Sequence, residues 1–174
     1  MHNTNSIIEP MTREDFLDIV DAHEAFWESD QTLRLHHPIF IEEFGDTAYV
    51  IRENEHIVAY LLGFISQNKP TAYIHMVAVR RDIRGKGYAR ILYDHFASIG
   101  RERGCTRLKA TVDAHNELSL RFHIALGMEM QGELAEEAAF EGVKIVKDYL
   151  RRGSHRVVFL KDISPSASTG TEPG

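Results

Sequence analysis

Three apolar segments of strand type follow one another between Thr47 and Val79, and a glycine-rich basic stretch comes directly after them. TAYVIREN and HIVAYLLGFIS, joined at Asn54-Glu55, read as a hairpin, and after a break at Asn68-Lys69-Pro70 the run TAYIHMVAV supplies a third strand. RDIRGKGYAR, residues 81–90, then leads into a helix: Tyr88, Ile91, Leu92, Phe96 and Ile99 recur at helical spacing, and Gly104 ends it. Hairpin strands followed by a strand–loop–helix unit require one mixed sheet with helices packed on it.

The flanking sequence fits the same frame. Ile7 and Ile8 mark a short first strand, and Thr12 with Asp15 three residues on forms a capping box that opens a helix to about Trp27. A shorter helical segment runs from about Leu33 to Phe44 with an interruption at Pro38. TRLKATV is a further strand. Asn116 starts a helix whose Leu118, Phe122, Ala125 and Leu126 share an apolar face and which stops at Gly127. Strands near Val143–Val146 and His155–Lys161 complete the set. The expected class is α+β, a mixed α/β sandwich around one sheet, in a single domain over residues 1–163. The small, polar tail 164–174 reads as disordered.

Composition removes several classes of function. One cysteine, Cys105, excludes an intrachain disulfide framework and a cysteine-based metal site, and it reads as a packing residue. Ten histidines are present, but none are paired as HxxxH or HExxH, so no metal site is expected. The net charge of -6 argues against a nucleic-acid partner. No apolar run reaches membrane-spanning length and the first residues lack a signal-peptide pattern, so the expected location is cytoplasmic.

Against that acidic background the stretch after the third strand is strongly basic, with Arg80, Arg81, Arg84, Lys86 and Arg90 opposed only by Asp82. Gly85 and Gly87 leave backbone N–H groups uncovered at a helix start, where first-turn donors have no intrahelical partner and the dipole is positive. These are the elements of a pyrophosphate cradle. A magnesium-nucleotide loop is excluded because no Ser or Thr follows Lys86, and the dinucleotide fingerprint fails at Arg90.

Arg84-Gly85-Lys86-Gly87-Tyr88-Ala89 after strand YIHMVAV resembles the acetyl-CoA loop of the GNAT acetyltransferases, [Q/R]-x-x-G-x-[G/A], with Arg84, Gly87 and Ala89 at the fixed positions. Asn116, Ser119, Phe122, His123, Gly127 and Met128 resemble the family's second signature, N-x-x-[A/S]-x-x-F-Y-x-x-x-G-F. The resemblance spans the ordered chain. It implies the GNAT fold, a central mixed and mostly antiparallel sheet of about seven strands flanked by about four helices. It also implies an N-acetyltransferase that uses acetyl-CoA as cosubstrate, acts on a small-molecule amine by direct attack in a ternary complex, and can form a homodimer.

The same resemblance implies roles for individual residues. The backbone of Val77, Ala78 and Val79 pairs with the pantetheine arm like an added strand. Backbone groups from Arg84, Gly85, Lys86, Gly87, Tyr88 and Ala89 hold the pyrophosphate. Asn116 and Ser119 meet the pantetheine, with Asn116 also readable as a helix cap. Arg90 or Arg121 is a candidate for the 3′-phosphate. His123 stands where relatives carry a tyrosine acid, and it is either the general acid or a spacer. Strand TAYIHMVAV lacks the relatives' carboxylate. His75 is the substitute base, supported by Tyr73 on the same face, and Glu24, Glu42 and Glu43 are further candidates. Two other readings stay open: a protein or peptide acetyltransferase of this fold, and a non-catalytic acyl-CoA-binding module.

Overall fold

The computed structural model describes residues 7–165. In chain order its elements are β1 (Ile7–Pro10), α1 (Arg13–Asp21), α2 (Ile39–Glu42), β2 (Ala48–Glu53), β3 (His56–Ile65), β4 (Thr71–Val79), α3 (Tyr88–Glu102), β5 (Arg107–Val112), α4 (Glu117–Ala125), β6 (Glu129–Met130), β7 (Glu133–Leu134), β8 (Lys144–Arg151) and β9 (Ser154–Asp162). The sheet runs β1-β2-β3-β4-β5-β9-β8-β7, with β6 also on β9. Among the described residues only the β4–β5 pairing is parallel. The α+β class and the mostly antiparallel sheet agree with the sequence. The additional strands are the two-residue β6 and β7, too short to leave a periodic signal.

Local chemistry explains most boundaries. The Thr12 hydroxyl accepts from Asp15 N and the Asp15 carboxylate accepts from Thr12 N, so the capping box is formed. Asn54 and Glu55 both have positive φ, as the two-residue β2–β3 turn requires. The first helix is shorter than its periodicity suggested. It ends at Asp21, and His23–Ala25 form a 3-10 turn. Buried His23 and Phe26 are three apart, and a turn of three residues lines both up toward the interior. Pro38 likewise divides the next segment into a 3-10 helix, Asp30–Leu35, and the single turn α2, because the residues before a proline are driven extended.

Both faces of the sheet are covered. Alternate residues of β2 and β3, such as Ile51, Ala59 and Leu61, pack with α3 and α4 in one core. Val50, Tyr60 and Leu62 pack with Phe16, Phe26 and Phe40 of the N-terminal segments in the other. Gly63 is needed where α3 crosses, since a Cβ there would lie 2.7 Å from the Phe96 ring and 2.9 Å from the Tyr73 carbonyl. Cys105 belongs to the first core, and burial pushes its thiol pKa up, away from reactivity. Among the described residues no helix is long and apolar enough to cross a membrane.

Candidate active site

The β3–β4 register slips between Leu62 and Gly63, so β4 carries a bulge at His75. The bulge changes which side of the sheet each half of β4 addresses. Ala72 and Ile74 belong to the α3 core before it, Val77 and Val79 after it, while Met76 and Ala78 join the N-terminal core. Tyr73 stacks on Phe64 and His75 stacks on Phe40, both on the N-terminal side. Simple alternation puts Tyr73, His75, Val77 and Val79 on one face. The structure corrects this: the first two face the N-terminal segments and the last two face α3.

At the same point the sheet forks. β4 pairs with β5 only from Thr71 to Ile74, while β5 continues on β9 to Val112. His75 is therefore the first β4 residue past the parting of the strands, and the β4 edge from Met76 to Val79 lacks a β5 partner. An extended ligand can add to such an edge.

The His75 ring lies 4.5 Å from the Phe40 ring, nearly parallel to it. Its Nε2 is 3.0 Å from the Leu35 carbonyl oxygen. A carbonyl only accepts, so Nε2 carries the hydrogen and Nδ1 holds the lone pair in the neutral ring. Burial lowers the His75 pKa below the ordinary histidine value, with the Leu35 carbonyl pulling the other way. Beside it, Tyr73 Oη is 3.2 Å from Thr111 Oγ1, and burial raises its pKa, so the hydroxyl stays protonated. Of the carboxylates, Glu42 pairs with Arg13 at 3.4 Å, and Glu24 and Glu43 are exposed.

Gly85 and Gly87 have φ of 87° and 88° with open space where a Cβ would sit. Gly87 caps α3 without a side-chain hydrogen bond, so the first-turn N–H groups are uncovered for an anion. Lys86 is exposed and Ala89 half-buried, whereas Tyr88 is buried and donates to the Glu53 carboxylate. Burial, then that carboxylate, pushes the Tyr88 pKa up to about 12. Arg84 does something the sequence did not signal. Its Nη2 donates to the Phe26 carbonyl at 2.7 Å, tying this loop to the N-terminal segment.

Asn116 caps α4 by accepting from Ser119 N at 3.1 Å. Leu118 is 67% exposed, while Leu120 and His123 are buried. His123 thus turns inward with Leu120, Ser119 is half-buried and Asn116 exposed, while of the expected apolar face Leu126 and Phe122 pack on the core and Leu118 and Ala125 do not. His123 Nδ1 donates to the Ser119 carbonyl at 2.6 Å, its Nε2 lies 2.7 Å from the Tyr93 hydroxyl, and its ring stacks on Phe159. Burial lowers its pKa against the opposing effect of the Ser119 carbonyl. Arg90 donates to the Ala125 carbonyl at 3.0 Å, and Arg121 pairs with Glu117 at 2.7 Å. Among the described residues no cluster of three or more His, Cys, Asp or Glu side chains converges as for a metal.

A forked sheet, an open strand edge and a glycine-rich helix start together fit an extended, phosphate-bearing ligand laid along the fork. A sequence model of the acetyltransferase (GNAT) family matches residues 13–128. The chain belongs to the GNAT acetyltransferase family. It is 28% identical over 135 residues to an L-2,4-diaminobutyric acid acetyltransferase of Streptomyces coelicolor, covering 76% of each chain. The ribosomal-protein-S18-alanine N-acetyltransferase of Escherichia coli has the same fold, with a TM-score of 0.65 at 15% identity over 94% of this chain and 97% of that one. So has yncA of Salmonella typhimurium, solved with its cofactor acetyl-CoA, with a TM-score of 0.62 at 18% identity over 94% and 96%.

Proposed function

We propose that this chain transfers the acetyl group of acetyl-CoA to a primary amine of a small molecule, by direct attack in a ternary complex. The observation that carries the reading is the position of His75, a residue with a fixed tautomer at the point where β4 and β5 part. The relative that acetylates 2,4-diaminobutyric acid supports a small amine as acceptor. The fit for the donor rests on the two positive-φ glycines, the uncovered start of α3 and the unpaired β4 edge.

Acetyl-CoA supplies an activated acyl group as its thioester. Backbone N–H groups from Arg84 to Ala89 hold the pyrophosphate, and the edge from Val77 to Val79 aligns the pantetheine arm toward the fork. Asn116 and Ser119 border that arm from the start of α4. His75 Nδ1 takes the proton that the attacking nitrogen must lose, while Nε2–H stays on the Leu35 carbonyl. The protonated ring keeps that bond, which favours the charged form it must briefly hold. Tyr73, held by Thr111, orients the acceptor beside His75. His123 acts as a spacer, and solvent supplies the proton on the leaving side. The enzyme works in the cytoplasm.

The test is release of free thiol from acetyl-CoA over a panel of diamines, amino acids including 2,4-diaminobutyrate, and short peptides. Turnover on small amines is expected. Turnover on peptides alone would move the acceptor to a protein amine, and coenzyme binding with no turnover on any amine would make the chain a binding module.

A further inference from the structure

The N-terminal core contains a second group of histidines. His23 and His36 rings meet edge to face at 5.6 Å, and the His36 ring lies 5.7 Å from the Tyr60 ring. His36 Nδ1 is 3.1 Å from the Thr32 carbonyl, so Nδ1 carries the hydrogen and Nε2 the lone pair. Nε2 in turn lies 2.6 Å from the Tyr60 hydroxyl, which donates to it. Tyr60 is fully buried on β3, and its oxygen accepts from Trp27 Nε1 at 2.7 Å. His23 Nε2 reaches Thr32 Oγ1 at 2.8 Å, and that hydroxyl donates to the Ser29 carbonyl, which braces the residue His36 leans on.

This network ends on the peptide unit that holds His75. The carbonyl of Leu35 and the nitrogen of His36 belong to one planar group. That nitrogen donates to the Leu33 carbonyl at 3.1 Å, while the His36 ring is fixed on both sides, by Thr32 and by Tyr60. The oxygen of the same peptide receives His75 Nε2–H. Leu35 itself is 47% exposed and contributes no comparable anchor through its side chain.

We propose that His36 and Tyr60 are positioning residues for His75. They fix the plane of the Leu35–His36 peptide and, through its carbonyl, the tautomer and direction of the ring that serves as base. The inference rests on His75 being the base.

The Phe40 ring stacked on His75 sets the plane of the imidazole but not its tautomer, and among the described residues the other groups around it supply no second hydrogen-bond partner. From the N-terminal segments they are His36 and, behind it, His23. Tyr60 faces from β3, and Tyr73 lies on the same strand, bonded to Thr111. On α2, Glu42 turns to Arg13, and on β5 Lys109 sits over the rings of Tyr73 and Tyr149. Loss of the carbonyl bond removes an interaction that raises the His75 pKa, so the apparent pKa of the base moves down.

The experiment measures kcat/KM against pH for wild type, His75→Asn, Tyr60→Phe, His36→Leu and His36→Gln, with acetyl-CoA affinity as the check on folding. Tyr60→Phe and His36→Leu are expected to lower kcat/KM about tenfold and to move its acidic limb down by roughly 0.5 pH unit, with coenzyme affinity retained. His36→Gln keeps an acceptor for Tyr60 and a donor for Thr32, so it should restore the limb. If His75→Asn abolishes the limb while Tyr60→Phe and His36→Leu leave it at the wild-type pH, the positioning role is wrong and the base stands. If His75→Asn leaves the limb intact, the assignment of His75 as base has failed, and this inference with it.

Discussion

The guanidinium of Arg84, in the glycine-rich loop, donates to the main-chain carbonyl of Phe26, 58 residues earlier, at 2.7 Å. Phe26 is buried against Tyr60, and Glu28 lies 3.8 Å from Arg81 and 3.9 Å from Arg84. The loop proposed to hold the donor is thus bolted to the N-terminal segment on the side of the sheet where His75 lies, beside the proposed acceptor site. Arg84→Ala should raise acceptor KM as well as weaken acetyl-CoA binding, each by about tenfold, the usual size of coupling between two sites. Calorimetry for the coenzyme and acceptor titrations at saturating coenzyme read the two effects separately. A change in coenzyme affinity alone would mean the bolt carries no coupling.

Gly87 sits at φ 88° with no atom within 4 Å of the place a Cβ would take, so the cost of Gly87→Val is conformational and not a clash. Left-handed backbone costs an L-residue about 1–2 kcal/mol, more when β-branched. Relief by reshaping the loop would turn the first N–H groups of α3 away from the pyrophosphate. Acetyl-CoA affinity is expected to fall at least about tenfold, with the thermal midpoint lowered by only a few degrees, about 2–4 °C per kcal/mol of strain.

His75 must be neutral to accept a proton, and burial keeps its pKa below the ordinary histidine value. As the proposed base it is therefore active across neutral pH, and kcat/KM, expressed per neutral amine, should decline on the acid side of about pH 6.5. His75→Asn should lower kcat/KM by about 100-fold and remove that limb. A limb that persists in the variant would point to a carboxylate such as Glu24.

His36 and His123 are both held neutral by burial, each against an opposing carbonyl bond. In the unfolded chain they protonate near pH 6.5, so below that pH the unfolded state binds more protons than the folded one. Stability from these groups is complete above about pH 6.5 and is lost as pH falls toward their lowered folded values. Thermal unfolding between pH 7 and pH 5 should show this decline, and His123→Gln should make it shallower.

His123→Phe leaves the buried Tyr93 hydroxyl without its 2.7 Å partner. A loss of about 1–3 kcal/mol in unfolding free energy is expected, with kcat largely kept if His123 is a spacer. A collapse of kcat at unchanged stability would restore the acid role.

Where a few neighbouring residues set the geometry, the sequence was readable. The Thr12–Asp15 box, the Asn54-Glu55 turn and the glycines at 85 and 87 are decided by their own side chains and φ preferences. Two features were not legible because tertiary packing decides them. The spacing of α4 sets its apolar positions apart from His123, but the stacking of His123 on Phe159 buries that histidine alongside Leu126 and leaves Leu118 exposed. A strand pattern assumes strict alternation, and nothing in TAYIHMVAV marks the slip opposite Gly63. The bond from Arg84 to Phe26 uses a backbone carbonyl, which has no residue signature.

The bulge in β4 also makes the fold divisible. If the acceptor binds beside His75 as proposed, changes at Tyr73, His75 or the 23–44 segments would alter its site, because Tyr73 and His75 lie on the N-terminal side of the sheet. Val77 and Val79 look the other way and keep their packing throughout. On the proposed assignment, a lineage built on this strand could exchange one amine for another by drift on one face, provided it keeps the Arg84 bond to Phe26 that reaches the donor loop.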